Sequence, residues 1–314
     1  MKRVFVDGAV GTTGLRIVER LSERPDLELI TLEEAVRKDP AARAEALNAA
    51  DLVFLCLPDV AAREAVAMID NPDTVVIDTS TAHRTAEGWV YGLPELTGLS
   101  ERIKPAKRIA NPGCHSTGFI ALVQPLVAAG VLDKDAKLAS FSLTGYSGGG
   151  KQMIADYKEN PQLREAPRAY ALSQQHKHIP EMTYYTGLTT APVFTPIVAN
   201  YYAGMEVTVP LHRSQINASV AEIGSIYADY YTGPMIRYAA NIDDAGFVSA
   251  DTHAGFDDMD VSVQGNEERM TLVARFDNLG KGASGAAIQN MNLALGIDET
   301  TGLNLRRTTL SKES

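Results

Sequence analysis

Apolar positions in the first third of the chain come in short, nearly continuous runs. Arg3-Val4-Phe5-Val6-Asp7, Leu27-Glu28-Leu29-Ile30-Thr31-Leu32, Asp51 to Pro58 and Thr74-Val75-Val76-Ile77-Asp78 read as strands, most of them buried on both faces. Between the first two runs, Leu15, Ile17, Val18 and Leu21 recur at helical spacing, and a second helix is predicted from Ala61 to Ile69. Alternation of strand and helix over residues 1–110 predicts an α/β, doubly wound parallel sheet. Ligands on such sheets bind outside the carboxyl ends of the strands.

The texture changes after an apolar helical run, Phe119-Ile120-Ala121-Leu122-Val123. Alternating strands are then predicted at Leu138–Leu143, Pro192–Val198, Gly204–Val209 and Met270–Phe276, which implies a second, α+β domain with a mostly antiparallel sheet and one solvated or interface face. Residues 152–175 are polar and read as surface helix and loop. A small-residue helix, Ala286 to Leu295, is expected to pack back on the first domain. The expected division is therefore 1–113 with 286–314 for the first domain and 114–285 for the second, with Ser311–Ser314 disordered.

Composition narrows the functional classes. The 314 residues are 45% hydrophobic and 22% charged, ordinary for a globular protein, and the net charge of −10 argues against nucleic acid and anionic membranes as partners. No apolar run reaches a membrane span, and Met1-Lys2-Arg3 leads straight into a strand, so a cytoplasmic protein is expected. Two cysteines, Cys56 and Cys114, are too few for a disulfide framework. Cys56 lies among leucines and reads as inert core. No zinc-type Cys/His cluster is present, and no metal is expected.

Several segments carry candidate chemistry. Gly8-Ala9-Val10-Gly11-Thr12-Thr13-Gly14 joins the first strand to the first helix, the context in which a G-x-x-G-x-x-G turn cradles the pyrophosphate of a dinucleotide, as in a Rossmann-type fold. After the second strand, Glu33 and Glu34 favour a free ribose, whereas Arg37 and Lys38 suit a 2′-phosphate; the sequence leaves this open. Arg84, in Asp78 to Arg84 at the functional edge of the sheet, has the fork geometry to clamp a phosphate or carboxylate. Cys114 follows the Asn111-Pro112-Gly113 turn and opens a helix, where unpaired N–H groups favour the thiolate and steady an oxyanion. Thr144-Gly145-Tyr146-Ser147-Gly148-Gly149-Gly150-Lys151 is a donor-rich flexible loop without P-loop spacing. His176-Lys177-His178, on a strand, would point both rings to one face; with no third ligand nearby, acid–base chemistry is favoured over a metal pair.

Asn111-Pro112-Gly113-Cys114, Gly145 to Lys151, His176-Lys177-His178-Ile179-Pro180-Glu181 and Asp277 to Ala287, in this order, resemble the N-acetyl-γ-glutamyl-phosphate reductases of arginine biosynthesis, in the shorter of that family's two sequence types. The resemblance covers nearly the whole chain; one departure is Cys114-His115-Ser116, where members more often carry Tyr and Pro after the cysteine. It implies NADPH-dependent reductive dephosphorylation of an acyl phosphate to a semialdehyde, with Cys114 as nucleophile, a thioester intermediate and His176 as acid–base group. It further implies that Gly8, Gly11, Thr12, Thr13 and Gly14 hold the pyrophosphate, and that Ser147, Gly148, Asn278 and Lys281 line the nicotinamide end. Arg84, Asn111, Lys151, His178 and Glu181 would serve the substrate, and the second-domain sheet would build a homodimer or homotetramer. Aspartate-semialdehyde dehydrogenases and the lysine-pathway acyl-phosphate reductases share the architecture and the cysteine. A non-catalytic dinucleotide sensor is the remaining alternative, and it would need neither Cys114 nor the His176/His178 pair.

Overall fold

The computed structural model describes residues 1–306, so the disorder expected for Ser311–Ser314 lies outside the described residues. Two compact units are formed, one by Met1–Pro112 and Ala283–Leu303, the other by Gly113–Gly282 together with Asn304–Arg306. The expected assignment of 286–314 to the first unit ends early for a local reason. Asn304 O accepts from Asp257 N at 2.7 Å, Asn304 N donates to Asp257 Oδ2 at 2.9 Å, and Arg306 N donates to Asp258 Oδ1 at 3.2 Å.

In the first unit six strands, β1 (Lys2–Asp7), β2 (Leu27–Ile30), β3 (Leu52–Leu55), β4 (Val75–Asp78), β5 (Val90–Tyr91) and β6 (Arg108–Ala110), form a parallel sheet in the order β2-β1-β3-β4-β6-β5. The connecting helices are α1 (Thr12–Ser22), α2 (Pro40–Ala49), α3 (Asp59–Ala67) and α4 (Leu99–Ile103). Continuous apolar runs are needed because both faces are covered: every residue of β3 is buried, and Phe5, Val53, Leu55 and Val76 pack against Leu47, Ala62 and Ala65. Asp39 caps α2 by accepting from Ala42 N at 2.9 Å, with Pro40 at the first helical position.

The second unit holds a seven-stranded mixed sheet and four helices. Its strands are β7 (Ala139–Gly145), β8 (Arg168–Ala169), β9 (Val193–Ala199), β10 (Met205–His212), β11 (Ile236–Tyr238), β12 (Met259–Gly265) and β13 (Arg269–Phe276), ordered β11-β12-β13-β10-β7-β9-β8. Pairing is antiparallel except at β7–β9 and β11–β12. The helices are α5 (Cys114–Ala128), α6 (Gly150–Glu159), α7 (Ile179–Thr186) and α8 (Val220–Tyr230). One sheet face, carrying Met205, Val207, Val209, Leu272, Ala274 and Phe276, is buried under α5. The chain then returns to the first unit as α9 (Gly285–Ala294), whose Asn290 side chain donates to Gly92 O at 2.9 Å.

α5 is central to the second unit. Phe119 to Val123 are fully buried, so the helix has no solvated face in that stretch and is packed on every side, as expected of an interior helix. Hydroxyls from α8 and its C-cap complete the packing: Tyr227 and Tyr231 donate to Leu122 O and Ala121 O at 2.5 and 2.7 Å. Contact with the sheet is closest at Gly118, where a Cβ would lie 2.5 Å from Val207 Cγ2 and 2.8 Å from Phe276 Cε1. Those neighbours are core side chains with nowhere to move. Gly118→Ala is therefore expected to destabilise the protein by about 1–3 kcal/mol despite the better helix propensity of alanine, measured as a lower urea midpoint. An unchanged midpoint would show that the sheet relaxes around an added methyl.

Candidate active site

The first unit builds an anion cradle at the end of β1. Gly8 adopts φ +88° with Cys56 O where its Cβ would stand, and Gly14 meets Gly8 O in the same way, so neither position admits a side chain. Gly11 N donates to Gly8 O at 3.0 Å and closes the turn, and α1 begins with Thr12 and Thr13. Thr12 Oγ1 is buried with no hydrogen-bond partner among the described residues. A bare glycine turn, the positive end of an eleven-residue helix and an unpaired hydroxyl together fit a dinucleotide pyrophosphate. Beside the turn lies a cleft of about 490 Å³ whose walls include Gly8, Gly11, Ile30, Leu32, Arg37 and Lys38. Arg37 is paired with Glu34 at 2.7 Å. Burial pushes the Cys56 thiol, also in this wall, up to about 12, which keeps it protonated and unreactive.

Arg84, 7% exposed, is held by backbone carbonyls of the same unit: Nε donates to Asn111 O at 2.9 Å and Nη2 to Thr79 O at 3.1 Å. Asn111 is itself braced, with Nδ2 donating to Ala283 O at 3.1 Å and Oδ1 accepting from Asn290 Nδ2 at 3.2 Å. The amide that the sequence assigns to substrate is thus engaged within the fold, and its carbonyl sets the orientation of a guanidinium.

Cys114 is the first residue of α5, preceded by Gly113 in extended conformation at the cap position. The thiol therefore stands where the helix leaves its N–H groups unpaired. A Cβ on Gly282 would come within 2.9 Å of Cys114 Cβ, so a glycine is needed for the chain to pass the cysteine. Glu181, 1% exposed and in the first turn of α7, accepts from Gly113 N at 3.2 Å through Oε2 and fixes the approach to the cysteine.

The histidine pair is not on a strand. His178 caps α7, and Pro180 and Glu181 occupy its first turn, a helix start that overrides the two-residue period. The rings are nonetheless 4.6 Å apart at 80°. His178 N donates to His176 Nδ1 at 3.1 Å, so neutral His176 carries its proton on Nε2. No group of three or more His, Cys, Asp or Glu among the described residues is arranged to hold a metal ion.

Three residues of this cluster escape the sequence analysis. His115, buried and next to the cysteine, lies 5.7 and 5.6 Å from the rings of His176 and His178. Its Nδ1 is 2.6 Å from Ser142 Oγ on β7, and its Nε2 is 2.8 Å from Tyr170 Oη. Tyr170 comes from the stretch read as surface loop, beside β8. The available signal was an imidazole on an otherwise apolar helix, which must be buried and therefore hydrogen-bonded.

Among the remaining candidates of the second unit, Ser147 and Asn278 are bonded to each other. Asn278 Nδ2 donates to Ser147 Oγ at 3.0 Å, and Asn278 Oδ1 accepts from Gly204 N at 2.9 Å. Gly148 abuts this pair, its absent Cβ 3.5 Å from Asn278 Nδ2. Lys281 is fully buried, whereas Lys151 is exposed on the first turn of α6.

Known proteins share both halves of this arrangement. Residues 3–106 match the family model for the semialdehyde dehydrogenase NAD binding domain, and 114–278 match that for the semialdehyde dehydrogenase dimerisation domain. N-acetyl-gamma-glutamyl-phosphate reductases of Burkholderia ambifaria and Brucella anthropi are 45% and 46% identical to the chain. These alignments cover 94% of the chain in each case, and 96% and 98% of the respective relatives. The crystal structure of aspartate semialdehyde dehydrogenase II from Vibrio cholerae superposes with a TM-score of 0.71 at 15% identity, covering 94% of this chain and 98% of that one, a likeness of fold alone. No described helix is long and apolar enough to cross a membrane. A nicotinamide-dinucleotide fold and a cysteine at a helix start thus coincide with nearly full-length similarity to enzymes of one activity, and the chain belongs to the N-acetyl-gamma-glutamyl-phosphate reductase family.

Proposed function

We propose that the protein is a cytoplasmic, NADPH-dependent reductase of arginine biosynthesis that converts N-acetyl-γ-glutamyl phosphate to N-acetylglutamate 5-semialdehyde and phosphate. The observation that carries this reading is Cys114 at the first turn of a buried helix, its approach tied to Glu181 and its neighbour packed on the histidine pair. Cys114 Sγ attacks the acyl carbon as a thiolate, the C–O bond to phosphate breaks, and phosphate departs with the electron pair to leave an acyl thioester. A bound reduced nicotinamide supplies the hydride that takes the acyl group to the aldehyde level. Helix-terminal N–H groups steady the oxyanion at each stage, and His176 offers it Nε2–H, the proton that the His178 amide leaves in place.

The remaining residues bind and orient. Gly8, Gly11, Thr12, Thr13 and Gly14 cradle the pyrophosphate, and Ser147, Gly148, Asn278 and Lys281 serve the nicotinamide end. Arg84 clamps the substrate phosphate, and Asn111 acts through it by holding Nε. Lys151, on a mobile-length side chain at the start of α6, is a second phosphate contact; Glu181 and His178 position the acyl group. Arg37 and Lys38, in the cleft wall beyond β2, support NADP over NAD, with Glu34 in the same wall paired to Arg37.

A homo-oligomer, dimer or tetramer, is supported by the outward face of the second sheet. β7 turns Ser140, Ser142 and Thr144 inward and Phe141 outward, 44% exposed, while Val193 on neighbouring β9 is 59% exposed. In the β7–β9 register, Ala139 faces Val193 and Leu143 faces Ile197, extending the apolar patch across two strands.

Three measurements test these assignments. Purified protein given N-acetylglutamate semialdehyde and phosphate should reduce NADP, and Cys114→Ser should lower turnover by about a thousandfold or more. Turnover confined to aspartate semialdehyde would reassign the substrate, and tight cofactor binding without turnover on either aldehyde would support a sensor. The double variant Arg37→Ala/Lys38→Ala should raise KM for NADP about tenfold with little change for NAD; equal effects on both would remove these residues from the 2′-phosphate. Phe141→Asp should lower the mass seen by sedimentation to that of a smaller assembly, and an unchanged mass would place the interface elsewhere.

A further inference from the structure

The cofactor cleft of the first unit holds an ion pair that the chemistry above leaves unused. Asp7, the last residue of β1, is 5% exposed, and its Oδ2 accepts from Nε and Nη2 of Arg43 at 3.1 and 2.7 Å. Arg43 stands one turn into α2, where its N donates at 3.0 Å to the carbonyl of Asp39, the residue that caps the helix. The side chain is thus fixed at its base by a capped helix and at its head by the end of a strand. Both Asp7 and Arg43 line the cleft of about 490 Å³ beside the glycine turn.

Such a pair is either a staple between α2 and β1 or a ligand held in place. As a staple it returns little, because desolvation of two ions consumes much of their attraction. The donor count favours a ligand. A guanidinium presents two bidentate edges, Nε with Nη2 and Nη2 with Nη1. The first edge is spent here on one carboxylate oxygen. Nη1, on the side of the guanidinium away from that oxygen, makes no hydrogen bond among the described residues and is not buried. A planar fork on the cleft wall is therefore left with its second edge unspent, and such an edge matches an anion with two or more oxygens. Leu57, Pro58 and Ala61 in the same wall suit an adenine, and the glycine turn takes the pyrophosphate, so the anion left for this fork is a phosphate on the adenosine ribose. Arg37, the other guanidinium of the wall, is spent on Glu34, whose side chain is 78% exposed, a surface pair that fixes little. We propose that Arg43, held by Asp7, is the fixed ligand of the cofactor's 2′-phosphate, with Arg37 and Lys38 as outer contacts. The inference rests on the NADP reading above and deepens it.

The experiment reads binding by titration calorimetry on the whole chain, without substrate. Its two probes, adenosine 2′,5′-bisphosphate and adenosine 5′-monophosphate, differ only in the 2′-phosphate. Wild-type protein is expected to hold the bisphosphate about tenfold or more tightly than the monophosphate. Arg43→Lys keeps a cation opposite Asp7, but an ammonium drawn to that carboxylate has no second planar edge. Its affinity for the bisphosphate should fall about tenfold, with the monophosphate within about twofold. Arg43→Ala alone would strand the Asp7 carboxylate, so the charge-balanced variant Arg43→Ala/Asp7→Asn is measured beside it and should show the same selective loss. Equal losses for the two probes, or no loss, would overturn the proposal and leave the pair a staple. Selectivity kept in Arg43→Lys but lost in Arg37→Ala/Lys38→Ala would overturn it while the NADP reading stands. Wild-type protein that binds both probes equally would bring down the NADP reading, and the proposal with it.

Discussion

The second unit depends on the complete burial of α5. An entirely apolar helix stretch has no energetic reason to stop being buried anywhere along its length, so its start is fixed by whatever the chain places before it, here Asn111-Pro112-Gly113. Burial of Phe119–Val123 against β10 and β13 sets the helix axis, and Gly118 sets how close the axis lies to the sheet. The position of the Cys114 sulfur is a consequence of both. A reactive group on a loop would have to be ordered by its own contacts; on α5 it inherits the order of the core.

That same burial explains an inversion in β7. The side of the strand facing inward carries Ser140, Ser142 and Thr144, while the apolar side chain of Phe141 faces out. Judged by the usual inside-apolar rule the strand is back to front. Ser142 is inward because α5 brings an imidazole, His115, into the same interior, and a buried ring nitrogen without a partner would cost more than a buried serine hydroxyl that is paired. The apolar side is outward because the alternation of a strand leaves it nowhere else to go.

Much of this was legible in the sequence. Valine-rich runs gave the parallel strands of the first unit, and the glycine turn with its following amphipathic helix gave the cradle at Gly8–Gly14, because sterics leave few alternatives at those glycines. The helix start at Cys114 was legible because Pro-Gly before an apolar run places a residue there. The histidine pair was placed on the wrong element although Pro180 and Glu181 mark a helix start. Two-residue spacing mimics a strand, and the proline that starts α7 overrides it, yet the rings meet regardless. His115, Ser142 and Tyr170 were not legible, since their partnership spans separations of 27 and 55 residues and depends on a register that no local period encodes.

Gly282 shows how far backbone requirements reach into the site. Asp277 O accepts from both Gly280 N and Gly282 N, Asp277 Oδ1 accepts from Leu279 N at 2.7 Å, and the chain from Gly280 to Ser284 takes a single π-helical turn. Such wide turns are stable only when surrounding contacts enforce them, and they recur at functional sites because they swing backbone outward by a fraction of a turn. Here the swing carries Gly282 against Cys114, whose Cβ would lie 2.9 Å from any Cβ added to Gly282. The glycines of this turn are therefore set by close packing, since a Cβ on Gly280 would meet the Phe256 carbonyl and one on Gly282 would meet Cys114 Cβ.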